Sequence, residues 1–177
     1  SLWMVTAYNG LIALKNETLN ALKQIDVQLK RRHDLIPNLV QSVQGAMKFE
    51  QQTLQAVIEA RNQAVKVASG ADLQSVGKLA AAEQQLTGAL GKLMAVVEAY
   101  PDLKATGNIA QLQEELTSTE NKIGFARQLY NDTATNYNTK QQQFPTAIVA
   151  PMAGAKPAEL WEITDEAERA VPQVKLN

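Results

Sequence analysis

Apolar residues recur every three or four positions along most of this chain, the period of a helix with one buried face. Tyr8, Leu11, Ile12, Leu19, Leu22, Ile25 and Leu29 predict a first helix from about Leu2 to Arg32. Asn9-Gly10 lies inside this period with no alternating pattern beside it, so the helix is read through it. Pro37 carries a cost inside a helix and none in a first turn. Asp34 is a good N-cap. A sharp reversal is therefore expected near His33, with Asp34 opening a second helix. That helix carries Ile36, Val40, Val43, Met47, Leu54, Val57, Ile58, Ala64, Val65 and Ala68, and ends at Ser69-Gly70. A third stripe, Leu73, Val76, Leu79, Leu86, Leu90, Leu93, Val97 and Tyr100, follows a cap at Asp72 and stops at Pro101. A fourth, capped by Asn108, uses Ile109, Leu112, Leu116, Ile123, Ala126, Tyr130, Ala134 and Tyr137, and ends before Phe144-Pro145.

Helices of roughly 30 residues are about 45 Å long. Short links force neighbours antiparallel, and four such stripes can bury one another only as a bundle. The expected fold is all-α: an antiparallel four-helix bundle of long helices over residues 8–144. Residues 1–7 stand apart as the end of a linker or anchor. Residues 145–177 change character, with Pro145, Pro151, Pro157 and Pro172 and an acidic run of Glu159, Glu162, Asp165, Glu166 and Glu168. They read as an extended tail docked on the bundle by Trp161, with room for a short helix over 165–170.

Composition sharpens this picture without changing it. Length 177 fits one domain, and 45% hydrophobic with 20% charged residues fits a folded one. A net charge of −1 gives no bulk attraction to nucleic acid. The absence of Cys excludes disulfides, thiolate zinc ligands and thiol catalysis. The apolar opening Leu2-Trp3-Met4-Val5 is far short of the ~20 residues that cross a bilayer, although a Trp there fits a membrane interface.

Candidate chemistry is sparse. His33 is the single histidine, so the paired Glu-x-x-His ligands of a di-iron bundle cannot be assembled. It reads as a surface residue at a helix C-terminus, where the dipole favours a cation. Lys30-Arg31-Arg32 falls short of the basic cluster a lipid motif needs. Arg61, Glu83, Glu120 and Arg127 lie close to apolar stripes, where an unpaired charge is costly. Two interhelical ion pairs that fix register are expected, Arg61 with Glu120 and Glu83 with Arg127; a ligand site inside the bundle is the alternative. Tyr130-Asn131 and Tyr137-Asn138 repeat seven apart, and the tyrosines read as core with a bonded hydroxyl. No phosphate loop, nucleophile elbow or H-E-x-x-H is present. Neither a cofactor nor a catalytic role is expected.

Longer strings carry a resemblance. Tyr8-Asn9-Gly10-Leu11 is followed by the run from Gln24 to Val40, which includes Arg31, Arg32, Asp34, Pro37 and Asn38. Ala60-Arg61, Tyr100-Pro101-Asp102-Leu103-Lys104-Ala105, Gln111 to Leu116, Glu120-Asn121-Lys122-Ile123, Ala126 to Asp132, Tyr137-Asn138 and Phe144-Pro145 come after it, in order. Together they resemble the LemA family over nearly all of residues 8–145. The resemblance implies an antiparallel four-helix bundle in a bacterial membrane-associated protein. It also implies a single N-terminal anchor, a transmembrane segment or a lipoprotein-type leader, ahead of the Tyr-Asn motif. The chain then begins where that anchor would end, with Leu2 to Val5 as its remnant. It implies no catalytic residue. The expected role is a non-enzymatic scaffold or adaptor for protein partners, its glutamine-rich, coiled-coil-like faces docking other helices. The rival is a sensor that binds a small ligand between helices near Arg61, Glu83, Glu120 and Arg127.

Overall fold

The computed structural model describes residues 1–162. Six helices form among the described residues, and no strand does. They are α1 Leu2–Gln44, α2 Gln51–Ser69, α3 Val76–Glu98, α4 Pro101–Lys104, α5 Gly107–Gln142 and α6 Thr146–Val149. The short α4 is the Pro101 link, where Pro sits in a first turn and loses no bond. α1 lies along α5 and α2 along α3, with α1 also touching α2.

α1 corrects the expected reversal. It runs without a break through His33, Asp34 and Pro37 for 43 residues, about 65 Å. The chain turns at Gly45–Glu50 instead, where the fully buried Met47 plugs the end of the core. Asp34 is thus an exposed mid-helix residue and caps nothing. Pro37 is tolerated for a specific reason. A proline at 37 cannot donate to the carbonyl of residue 33, one turn back. Arg61 Nε of α2 donates to that carbonyl at 3.1 Å, so the bond the helix forgoes is supplied from outside. Local propensity favours a break; a tertiary hydrogen bond overrides it.

The core forms two apolar clusters, each built by three or more helices. One gathers Leu22, Ile25 and Leu29 of α1, Val76 and Leu79 of α3, and Ile123, Tyr130 and Tyr137 of α5. The other gathers Ile36, Leu39 and Val43 of α1, Leu54 and Val57 of α2, Leu86 and Leu93 of α3, and Ile109 and Leu112 of α5. Rising numbers on α1 meet falling numbers on α5, so these two helices run in opposite directions. Ser42 and Asn108, bonded at 3.1 Å, tie the end of α1 to the start of α5. Burial of each such side chain contributes roughly 1.5–3 kcal/mol against chain entropy. Between the clusters, α1 positions 32 and 33 and α3 position 83 are buried and charged or polar.

After α6 the chain turns through Gly154, the described residue with a left-handed φ of 63°. It then runs extended from Ala155 to Glu162 beside α3 and α5, and Trp161 is buried.

Candidate functional site

Two constellations gather polar side chains. The first is the layer between the two apolar clusters. Glu83 is 2% exposed, and each carboxylate oxygen has a partner from α1. Arg32 Nη2 donates to Oε2 at 2.5 Å, and His33 Nε2 lies 2.6 Å from Oε1. Arg32 also donates from Nη2 to the Glu83 carbonyl at 3.1 Å and from Nη1 to Thr87 Oγ1 at 3.0 Å. Thr87 in turn donates to the Glu83 carbonyl at 3.0 Å. Helical spacing explains the convergence. Positions 32 and 33 extend the buried face that runs through Ile25 and Leu29 on α1, and 83 follows Leu79 by one turn on α3. Buried charges persist only when paired and hydrogen-bonded, and these are.

This layer replaces both expected ion pairs. Glu83 pairs with Arg32 and His33, not with Arg127, and Arg61 meets a carbonyl and Asn62 Oδ1, not Glu120. Glu120 and Arg127 are exposed and make no ion pair among the described residues. His33 is no surface residue at a helix end; it is buried in mid-helix because α1 continues past it. The basic run divides: Lys30 and Arg31 face solvent beside Asp34 and Asn38, while Arg32 turns inward.

Three of the four charges beside the apolar stripes still meet, at a cavity of about 300 Å³ between α3 and α5. Glu83, Glu120 and Arg127 line it with Arg32, Thr87, Ile123 and Trp161. Arg61 does not. Arg32 Nε is buried without a partner among the described residues.

The second constellation holds the tail. Asn138 Nδ2 donates to the Ala158 carbonyl and its Oδ1 accepts from the Ala158 N–H, both at 2.8 Å. Asn131 repeats the pattern at Trp161, donating at 3.2 Å and accepting at 2.7 Å. Tyr130 donates its hydroxyl to the Glu159 carbonyl at 2.6 Å, and Gln141 donates to the Lys156 carbonyl at 3.2 Å. From the turn before α3, the Leu73 carbonyl accepts from the Glu159 N–H at 2.7 Å. Gly77 N–H donates to Glu159 Oε1 at 2.9 Å, and a Cβ on Gly77 would come within 3.1 Å of that oxygen. Burial, and next the Glu159 charge, hold the Tyr130 phenol well above its usual range. Burial raises Tyr137 as well, against a lowering hydrogen bond from Lys156.

A family model for LemA covers residues 21–176 of the chain. The chain belongs to the LemA family. No curated protein matches it. The family match runs from Ala21 in α1 to Leu176, so the LemA pattern takes in both constellations.

Sequence reasoning reaches Arg32, Glu83, Tyr130 and Asn131 but misses what joins them. Thr87 and Gln141 leave no signal, since both types are ordinary on a helix surface. Asn138 does leave one: it sits beside a core tyrosine in the repeated Tyr-Asn pair, at the edge of the buried stripe. Paired amides at such an edge, a heptad apart, are placed to hold a third segment.

Proposed function

We propose that the chain is a non-enzymatic scaffold or adaptor, an antiparallel four-helix bundle held at the bacterial cell membrane by a single N-terminal anchor. The observation that carries this reading is an exposed apolar face on the two longest helices. Phe125 is 76% and Leu129 58% exposed one turn apart on α5, and Val27 of α1 is 55% exposed. Val27 and Lys122 line one shallow cleft, and Lys122 and Phe125 line the next. Contiguous apolar side chains rimmed by charge mark protein–protein surfaces. The buried polar groups support the same reading, because both oxygens of Glu83 are engaged by Arg32 and His33. Leu2, Trp3 and Val5 lie exposed along the start of α1, which suits a helix that continues toward an anchor. No described helix is long and apolar enough to cross a membrane.

Mild cross-linking of the full-length protein in its own membranes, read by mass spectrometry, tests this. A recurrent protein partner, lost with Phe125→Ser and Leu129→Ser, is the expected result. The absence of any recurrent partner overturns it. The cavity beside Glu83, Glu120 and Arg127 favours a second reading, a sensor for a small ligand between helices. A ligand that raises Tm in the wild type and not in Glu120→Ala would establish it.

A further inference from the structure

The tail seat recognises mostly main chain, with one side-chain bond added where Glu159 Oε1 accepts from Gly77 N–H. Asn131 and Asn138 each bond both the N–H and the carbonyl of one tail residue. Tyr130 and Gln141 take two more tail carbonyls. None of these bonds depends on which side chains the tail carries. Only Ala158 and Trp161 bury theirs between Ala155 and Glu162. The spacing is commensurate: seven residues of helix advance about 10 Å, and three residues of extended chain advance about 10 Å. The two amides therefore fall in register with residues 158 and 161 of any extended segment laid along α5. Its one steric demand is a small residue followed, three places on, by tryptophan.

We propose that this seat is a peptide-binding site that also takes, in trans, the tail of a second copy of this chain. The occupant follows from complementarity. The seat matches residues 156–161, and every copy carries both seat and ligand. The segment is joined to the helices by one connection, the turn after α6, where Pro151, Met152 and Gly154 are exposed. Opening that turn lets two copies trade tails while every bond is replaced by an identical one, the usual low-cost route to a dimer. A tethered ligand competes at roughly millimolar effective concentration, so exchange is favoured where copies are crowded. The choice of a second copy rests on the scaffold reading, in which copies gather on a membrane; the seat itself does not.

The chain has no Cys, so single-cysteine labels are unambiguous. A full-length chain carrying a donor dye at Glu162→Cys is mixed with one carrying an acceptor at Gln128→Cys; both positions are exposed. Energy transfer between copies should rise with concentration. An excess of a synthetic peptide of residues 154–162 should abolish it, as should Asn131→Ala with Asn138→Ala in the acceptor copy. No transfer at any concentration, or transfer indifferent to the two asparagines, overturns the proposal. A second measurement uses full-length Trp161→Ala and the same peptide, labelled, read by anisotropy. The variant should take the peptide at about ten-fold lower concentration than the wild type, whose own tail competes. A natively helical variant that ignores the peptide overturns the proposal as well. Both experiments use purified chain, so their failure leaves the cross-linking test of other partners untouched.

Discussion

The polar layer and the tail seat solve the same problem in opposite ways. Each must satisfy polar groups away from water. The layer does so with an ion pair: Arg32 closes on one Glu83 oxygen and the His33 ring on the other, all three residues 4% exposed or less. The seat does so with neutral amides and a phenol against main chain, in a part-buried setting. A buried ion pair needs correct geometry at both partners, so the layer accepts one arrangement and fixes the register of α1 on α3. An amide finds relief in any peptide group, so the seat's amides fix a shape, and what the seat asks of sequence falls to Ala158, Glu159 and Trp161. Ionic burial specifies; amide burial permits exchange.

The sharpest break in that comparison is Glu83→Ala. It strands the Arg32 guanidinium in the core, and a buried charge stripped of its partner costs roughly 3–5 kcal/mol. Urea unfolding should show that loss as one cooperative shift of the whole molecule. A loss below ~1 kcal/mol would mean that water reaches the layer, and the contrast with the seat would fall. Trp161→Ala tests the other side. It forfeits roughly 1.5–3 kcal/mol of burial. The loss should stay local, because the tail can lift away and leave the helices intact. Faster hydrogen exchange at the Ala158 and Trp161 amides, with α1 amides unchanged, is the expected signature.

Arg61 sits between these extremes, a charged donor on a main-chain acceptor. Arg61→Ala should cost about 1.5–3 kcal/mol, the range for a hydrogen bond to a charged group. The proline explains why. Pro37→Ala restores an N–H that can reach the His33 carbonyl, so in that background the loss should fall below ~1 kcal/mol. A double-mutant cycle measures the coupling. Equal losses in both backgrounds would show that Arg61 does not serve the carbonyl that Pro37 leaves free.

That same pair explains what the sequence discloses and what it conceals. The apolar stripes over α3 and α5 predict those helices to within a few residues, since Leu and Ala at helical spacing leave little choice. Pro37 predicts a break because its missing donor is a local fact. Its compensation, Arg61, lies on another helix and is visible only in three dimensions. Gly45, the residue at which α1 ends, carries the weaker local signal. A charge beside an apolar stripe is recognisable as a candidate for burial, but its partner is not, since pairing depends on helix rotation and register. Asp34 reads as a cap only if a helix begins there.

A smaller effect belongs to high pH. The folded-state Tyr130 phenol is held above the ordinary value near 10 by burial and by Glu159. A raised folded pKa means that the neutral phenol favours the folded state. Its contribution is full below pH ~10 and is lost as pH rises through the folded value. Tail amide exchange should therefore accelerate between about pH 10 and 12, while the polar layer, with no phenol, stays protected. Tyr130→Phe should cost about 1 kcal/mol at neutral pH and flatten most of that rise. Tyr137, also raised, should supply what remains.

The smallest expected change discriminates most finely. Glu120 and Arg127 line the cavity whose floor is the polar layer, yet both are exposed and neither joins an ion pair among the described residues. Alanine at either should shift stability by no more than ~0.5 kcal/mol, as at ordinary surface positions. A loss of several kcal/mol at Arg127 would extend the ionic layer across to α5 and end its separation from the seat, because Trp161 borders the same cavity. A negligible effect keeps the two apart and gives the cavity residues a different meaning. Their place beside a buried guanidinium whose Nε has no partner among the described residues then makes them candidates for contact with a ligand. Thermal shift in Glu120→Ala and Arg127→Ala, with and without small anions and amines, then reads ligand binding free of any change in folding.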